Sequence, residues 1–218
     1  MRFFAILEED FQIMPFDSIL FDFDGVLADS EGVHFDCWTA ILTPLGIPLT
    51  WEAYCANCIG ITDRAMLEVL ANQKTPPHDV EDLWQYYPKK KALFREKVYI
   101  NPPIPESTRT FVRQLSGYRL AVVSSSGRAE VEPVLERAGI RDCFSTIVTG
   151  DDVQNRKPHP EPYLLAAERL NVQNPLVVED SEPGAAAGLA AGFAVLRLEN
   201  PYHLAEALIS RLRPSNAS

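Results

Sequence analysis

Short apolar runs alternate along much of the chain with longer stretches whose apolar residues have helical spacing. The short runs predict buried β-strands, and they lie at Ile19–Phe23, Leu120–Ser124, Thr146–Thr149, Leu176–Glu179 and Ala194–Leu198. The helical spacing predicts helices at about 106–116, 128–138, 160–171, 182–191 and 202–211. Apolar strands that alternate with helices are typical of a parallel sheet covered on both faces. We therefore predict an α/β fold with a Rossmann-like three-layer core.

One interval breaks this alternation. Residues 31–100, between the first and second strands, have the pattern of several helices, with breaks at Pro44–Pro48, Gly60 and Pro76–Pro77. Thr62 is a capping residue ahead of one of these helices. A connection of this length is usually a domain of its own. The predicted organisation is a core domain of residues 1–30 and 101–218, with residues 31–100 inserted as a helical cap domain.

Composition narrows the possible partners. The chain has 218 residues, of which 46% are hydrophobic, and a net charge of −10. So acidic a chain is poorly suited to bind nucleic acid or an anionic membrane surface, and no apolar run approaches the ~20 residues that span a bilayer. Glu8, Glu9 and Asp10 interrupt the N-terminal region where a signal peptide stays apolar. We expect a cytoplasmic protein; Met14 is an alternative start that would make residues 1–13 an upstream extension.

Two of the cysteines form a CxxC pair, Cys55 and Cys58. A zinc site needs two further ligands at suitable spacing, and no second CxxC or HxxxH is present. On a helix, this spacing places both thiols on one face. We therefore expect ordinary core residues.

Acidic residues follow two of the predicted strands. Asp22 and Asp24 come directly after the first strand, so their side chains start on the same side of the chain, at the strand end where open α/β sheets bind ligands. Their mutual repulsion is relieved by a divalent cation or a shared proton. A turn or helix-capping aspartate would account for one of them but not for both. Glu179 and Asp180 repeat the pattern, and two such pairs suit a hard cation such as Mg²⁺.

Two other strand ends carry hydroxyls and a cation. Ser124, Ser125 and Ser126 lie where the second strand gives way to a helix, an arrangement that binds anions. Lys157 lies between the third strand and the next helix, in a segment stiffened by prolines. Taken separately, Ser124 would be a helix cap and Lys157 a surface lysine. Together with the acidic pairs, they predict a site that holds a metal and a phosphate side by side.

The segments FDFDGVLADS, VVSSS, RKPHPEPY and VVEDSEPG resemble, in order, the four motifs of the haloacid dehalogenase-like superfamily of phosphotransferases. The resemblance covers essentially all of residues 16–200. The chain is most similar to the β-phosphoglucomutase and phosphatase branch, in which a helical cap follows the first motif. Dehalogenases of this superfamily lack the second aspartate of the first motif, so Asp24 favours phosphate ester chemistry.

The resemblance implies a role for each motif residue. Asp22 would be the nucleophile that forms an aspartyl-phosphate, and Asp24 would be the general acid and base. Mg²⁺ would be bound by Asp22, the backbone carbonyl of Asp24, and Asp180, with Glu179 in support. The residues implied to hold the phosphoryl group are Ser124, the amide of Ser125, and Lys157.

Substrate specificity is expected to come from the cap and from the loops that face it. The segment SEGVHFDCW resembles the mutase at Ser30, His34 and Trp38, where His34 would contact substrate or sense closure; packing is the alternative for His34 and Trp38. Lys90 belongs to a KKK run that is typical of a solvated face. The residues predicted to contact substrate are His34, Trp38, Arg64, Lys90 and Ser126.

The cap departs from the mutase pattern. In the mutase, the cap loop carries a lysine before its glycine and an arginine three residues after it. Here Ile59 and Asp63 occupy those places around Gly60, and the arginine is Arg64. We therefore predict an Mg²⁺-dependent phosphatase for a small phosphorylated metabolite such as a sugar phosphate, acting as a monomer or weak homodimer. The alternatives are a phosphosugar mutase and a non-catalytic binding module, and the intact motifs argue against the latter.

Overall fold

Five parallel strands form the central sheet. They are β1 (Ser18–Phe21), β2 (Arg119–Val123), β3 (Thr146–Val148), β4 (Pro175–Glu179) and β5 (Ala194–Arg197). Their order in the sheet is β3-β2-β1-β4-β5, and the five predicted strands are confirmed. The computed structural model describes residues 16–59, 61–72 and 77–212. The predictions for residues 1–13, Met14, Gly60 and Pro76 lie outside these ranges.

The chain divides into two units: a core unit of Met1–Asp29 with Ile104–Ser218, and an inserted unit of Ser30–Pro103. The helices of the inserted unit are α1 (Glu31–Leu42), α2 (Trp51–Asn57), α3 (Asp63–Ala71), α4 (Val80–Trp84) and α5 (Tyr87–Ile100). Thr62 caps α3, as predicted, since its hydroxyl accepts a hydrogen bond from Ala65 N at 3.2 Å. This unit has its own apolar cluster, which includes Trp38, Leu42, Leu67 and Leu83.

Helices cover both faces of the sheet in the core unit. They are α6 (Glu106–Gln114), α7 (Arg128–Arg137), α8 (Glu161–Leu170), α9 (Glu182–Ala190) and α10 (Leu204–Leu212). On one face, Leu20 and Val177 of the strands pack with Tyr163 of α8 and Ala187 of α9. Strand residues alternate between the two faces, and those of the other face are also buried: Ile19, Phe21, Val122 and Val178. The predicted α/β, Rossmann-like architecture is confirmed. No helix in the described part of the chain is long and apolar enough to cross a bilayer.

Helix α9 lies unusually close to the sheet because it is built from small residues. A Cβ atom on Gly188 would lie 2.9 Å from Cγ2 of Val195 and 3.1 Å from Cγ1 of Val177. The first distance is shorter than real Cβ contacts, and the second is tighter than most of them. The small residues of α9 therefore allow this helix to pack tightly against β4 and β5.

Asp152 anchors the loop that follows β3. Its carboxylate accepts hydrogen bonds from Thr149 N at 2.8 Å, Thr149 Oγ1 at 2.7 Å, Arg128 Nη2 at 2.7 Å and Arg169 Nη2 at 3.1 Å. Burial alone would raise the pKa of Asp152, but these donors and the charge of Arg128 lower it to about 2. The segment that carries Lys157 begins at this anchor.

We expect Asp152→Asn to lower the free energy of unfolding by about 2 kcal/mol at neutral pH, because hydrogen bonds to a charged group contribute about 1.5–3 kcal/mol. The folded-state pKa lies below the ordinary value of 3.8. The stabilisation by this charge is therefore complete above about pH 4 and is lost as the pH falls toward 2. Urea unfolding at neutral pH and near pH 3 measures both effects, with the exposed Asp142→Asn as control. Equal unfolding midpoints for the two variants at neutral pH would contradict the assignment of Asp152 as an anchor.

Candidate active site

The motif residues meet at one edge of the sheet. Phe21 of β1 pairs with Val122 of β2 and with Val178 of β4, so these three strands end at the same level. The backbone hydrogen bonds between β1 and β4 extend one residue beyond the end of β1, because Asp22 N donates to the carbonyl of Val178 at 2.9 Å. The residues brought to this edge are Asp22, Ser124, Glu179 and Asp180.

The ammonium group of Lys157 lies at the centre of this edge. Its Nζ donates to Asp22 Oδ1 at 2.5 Å, to Glu179 Oε1 at 2.6 Å and to the carbonyl of Val123 at 2.8 Å. The Lys157 side chain is only 5% exposed. An ammonium has three N–H donors, so each of them has a partner. Lys157 is therefore a buried member of the site and not a surface lysine.

Glu179 is held by donors on both of its oxygens. Oε1 accepts from Lys157 and from the hydroxyl of Tyr163 at 2.6 Å, while Oε2 accepts from Ser181 N at 3.2 Å and Ser181 Oγ at 2.9 Å. The ring of the fully buried Tyr163 also lies under Lys157, whose Nζ is 4.9 Å from the ring centroid. Sequence reasoning did not single out Tyr163 or Ser181. Tyr163 lies in the RKPHPEPY segment, but nothing in the sequence indicates that its hydroxyl reaches β4.

Carboxylates outnumber cations around Lys157 at this edge of the sheet. Burial raises the pKa of Asp22 well above its usual range, and Glu179 and Asp24 add to this effect against the opposing charge of Lys157. Burial and the charge of Glu179 raise the pKa of Asp180 to about 6. Burial alone would raise the pKa of Glu179, but Lys157 and the other donors hold that pKa below its usual value. One ammonium does not neutralise this group, so additional positive charge would be stabilised at the site.

This surplus of carboxylates fits a hard divalent cation. Asp22, Glu179 and Asp180 offer oxygens that lie within 4.8 Å of one another, and no other such group occurs among the described residues. Oxygen-only ligands of this kind suit Mg²⁺. A carboxylate has about four lone-pair positions, and donors occupy those of Glu179. Asp22 and Asp180 are therefore the available ligands, and Glu179 supports them by holding Lys157.

The Asp180 carboxylate lies against the turn at Gly25. Gly25 has a φ of +78°, and a side chain there would collide with the Asp180 carboxylate, so the glycine after the first acidic pair is needed both for the turn and for the space. Arg197 of β5 donates to the backbone carbonyl of Asp180 at 2.5 Å. The loops that follow β1 and β4 are therefore in direct contact.

The serine loop lies between β2 and α7. Ser124 is buried, and its Oγ accepts from Ser126 N at 3.0 Å. The N-cap of α7 is Gly127, so the alternative interpretation of Ser124 as a helix cap is wrong. Ser126, predicted to contact substrate, donates its hydroxyl to Asp24 Oδ2 at 3.1 Å.

Three residues predicted to contact substrate form a cluster around Asp63 in the inserted unit. Lys90 is 2% exposed, so its assignment to a solvated face is wrong. Its Nζ contacts Asp63 Oδ2 at 3.0 Å and His34 Nδ1 at 2.7 Å. Trp38 is fully buried, and its Nε1 donates to Asp63 Oδ1 at 2.6 Å. The packing alternative therefore holds for Trp38, and Asp63 is the partner of a buried lysine.

Arg64 is bound by acidic residues of the same unit. Its guanidinium forms ion pairs with Glu81 and with Glu68, the latter at 3.7 Å, and lies 5.5 Å from the ring centroid of Trp84. These contacts account for its position without a ligand. Ile59 is 44% exposed, which leaves an apolar side chain at the place where the mutase has a lysine.

The two thiols of the CxxC pair do not share a face. Cys58 is buried in the apolar cluster of the inserted unit, whereas Cys55 is exposed. Helix α2 ends at Asn57, so helical spacing no longer applies at Cys58. The prediction of two core cysteines is wrong for Cys55.

Comparisons with known proteins find a matching family model, similar phosphatases and similar solved structures. A family model described as haloacid dehalogenase-like hydrolase matches residues 19–198. A phosphorylated carbohydrates phosphatase from Thermotoga maritima is 32% identical over 163 residues, which are 73% of this chain and 74% of the relative. The phosphoglycolate phosphatase of Escherichia coli K12 is 41% identical over 97 residues, which are 44% of this chain but only 38% of the relative. A solved Thermotoga maritima structure assigned as a β-phosphoglucomutase has a TM-score of 0.66 at 26% identity, covering 89% of this chain and 99% of its own.

Gly184 of α9 provides a test of the packing around Glu179. A Cβ atom there would collide with the Glu179 carboxylate. We expect Gly184→Ala to lower the free energy of unfolding by about 1–3 kcal/mol, the usual cost of overpacking. Gly32→Ala is the matched control, because nothing lies within 4 Å of its Cβ position. Urea unfolding compares the two, and a Gly184→Ala variant as stable as the control would show that Glu179 is free to move.

Proposed function

Because this chain belongs to the haloacid dehalogenase-like hydrolase family, we propose that it is an Mg²⁺-dependent phosphatase that acts through an aspartyl-phosphate. The family and the hydrolase class predicted from the four motifs are confirmed. One observation carries the proposal: Lys157 joins Asp22 to Glu179, beside Asp180, at the ligand-binding edge of the sheet. This arrangement combines a nucleophile, a cation and a candidate metal site.

The reaction would proceed in two displacements. A carboxylate oxygen of Asp22 attacks phosphorus, the bond from phosphorus to the leaving oxygen breaks, and Asp24 gives its proton to that oxygen. Asp24 then takes a proton from water, whose oxygen attacks phosphorus. The bond to Asp22 breaks, inorganic phosphate leaves, and both carboxyl groups return to their starting states.

The remaining residues would position and neutralise the phosphoryl group. Ser124 Oγ already accepts a bond from Ser126 N, so its hydrogen would donate to a phosphoryl oxygen, beside the amide of Ser125. Lys157 would act through its charge, since its donors are used within the protein. Asp22, Asp180 and the backbone carbonyl of Asp24 would hold Mg²⁺, which when bound supplies the positive charge that the crowded carboxylates and a phosphate require.

The proposed substrate is a small phosphorylated metabolite, with sugar phosphates as the first candidates. The relative that acts on phosphorylated carbohydrates aligns over most of both chains, whereas the phosphoglycolate phosphatase alignment covers a minority of that relative. We assign the inserted unit the role of a cap that selects the substrate. His34 remains its candidate for contact with substrate or for sensing closure.

We expect Asp22→Asn to abolish turnover of p-nitrophenyl phosphate while leaving the fold intact, because an amide cannot form the acyl phosphate. Phosphate release is the assay, and circular dichroism is the control for folding. Beryllium fluoride with Mg²⁺ should give bound-fluoride signals by ¹⁹F NMR in the wild type and none in the variant. Turnover by Asp22→Asn near the wild-type rate would contradict a covalent mechanism.

Removing the metal should remove the activity. Chelation by EDTA should abolish phosphate release, and added Mg²⁺ should restore it. We expect Asp180→Ala to raise the Mg²⁺ concentration for half-maximal activity at least about tenfold, because the loss of one ligand commonly costs more than 1.4 kcal/mol of binding. Calorimetric titration with Mg²⁺ gives a readout independent of activity, and Asp82→Ala on the exposed face of α4 is the control. Full activity in EDTA would exclude a metal role.

A phosphosugar mutase is the competing activity, and it needs a second anion site. The cap cations offered by the sequence are already bound: Lys90 by Asp63, and Arg64 by Glu81 and Glu68. We therefore expect water to accept the phosphoryl group. The test incubates the enzyme with β-glucose 1-phosphate and a trace of the 1,6-bisphosphate. Free phosphate supports the hydrolase, whereas stoichiometric glucose 6-phosphate with little free phosphate would establish the mutase.

A further inference from the structure

The backbone of Ser126 is held by two hydrogen bonds in the serine loop. Its backbone N donates to Ser124 Oγ at 3.0 Å, and its carbonyl accepts from Gly150 N at 2.9 Å. Gly150 allows this close approach, because a Cβ there would lie 2.5 Å from the carbonyl of Ser125. The loop is thus fastened to β2 on one side and to the segment after β3 on the other.

From this position, Ser126 Oγ donates to Asp24 Oδ2 at 3.1 Å. The backbone at Asp24 is held separately, by a bridge to Ala28 and by the bond from Gly25 N to the carbonyl of Ala28 at 2.8 Å. The hydrogen bond from Ser126 acts instead on the side chain, because it restrains the torsions that orient the Asp24 carboxyl group.

We propose that Ser126 is a positioning residue that orients the carboxyl of Asp24 for proton transfer, a role that rests on the proposed phosphatase function. A general acid must lie within hydrogen-bond reach of the oxygen that it protonates, and orientation in advance lowers the entropic part of the barrier. Ser126 neither gains nor loses a proton in either displacement. Its hydroxyl donates to Oδ2 of Asp24 and so restrains the orientation of the carboxyl group that carries the transferred proton.

This role differs measurably from contact with substrate. Protonation matters most when the leaving oxygen is strongly basic and least when the leaving group is a stable anion. A lost substrate contact would slow esters of similar shape alike. A misplaced general acid would instead slow the ester with the poorer leaving group selectively.

The experiment compares phenyl phosphate with p-nitrophenyl phosphate, two aryl esters of similar shape that differ in leaving-group basicity. We expect Ser126→Ala to lower kcat/KM for phenyl phosphate about tenfold, a fraction of the roughly 10²–10⁴-fold that general acids provide. The loss for p-nitrophenyl phosphate should be severalfold smaller. Ser126→Thr keeps the hydroxyl and should restore most of the activity, and Ser116→Ala in an exposed turn is the matched control.

A double-mutant cycle shows whether Ser126 acts through Asp24. In an Asp24→Ala background, Ser126→Ala should have little further effect, because residues that act as a unit are not additive. Equal losses for the two esters, or full additivity with Asp24→Ala, would overturn the inference while leaving the phosphatase intact. A wild-type protein that hydrolyses neither ester would overturn the proposed function and this role with it.

Discussion

The ammonium of Lys157 is the group on which the functional end of the core unit depends. It is buried and joins the end of β1, the last residue of β2 and the end of β4 through its three donors. Removing one partner of a buried ion pair typically costs about 3–5 kcal/mol, because the other charge is left uncompensated. Stability and the geometry of the site therefore depend on the same contacts here, and Asp152, at the start of the Lys157 segment, extends that dependence to the loop.

The sequence was sufficient for the sheet and for most of the edge residues, because both follow from local patterns. Apolar runs located β1 to β5, and the rule that parallel strands present their carboxyl ends together placed Asp22 and Asp180 near one another. The contact between Tyr163 and Glu179 has no such signal. It arises where α8 crosses the sheet, and a pattern within one element does not encode which residues of another element it meets.

Two errors in the inserted unit come from applying a local pattern to a residue that it does not describe. Lys90 stands between two other lysines, yet only Lys90 is buried, because one residue of three consecutive helical positions can face inward while its neighbours face water. The run of like charges concealed this difference. For the CxxC pair, the prediction was wrong at Cys55 because a helical period was extended to Cys58, beyond Asn57, where the helix ends.

The ion pair between Asp63 and Lys90 limits how this protein can change over evolutionary time. A mutase-like arginine at position 63 would remove the carboxylate that pairs with Lys90 and add a second cation beside it, in a cluster shared with Trp38. A variant with this single substitution would be strongly destabilised, because the buried charge of Lys90 would lose its carboxylate partner. The residues tolerated at position 63 therefore depend on the residue at position 90, and we expect these two positions to change together.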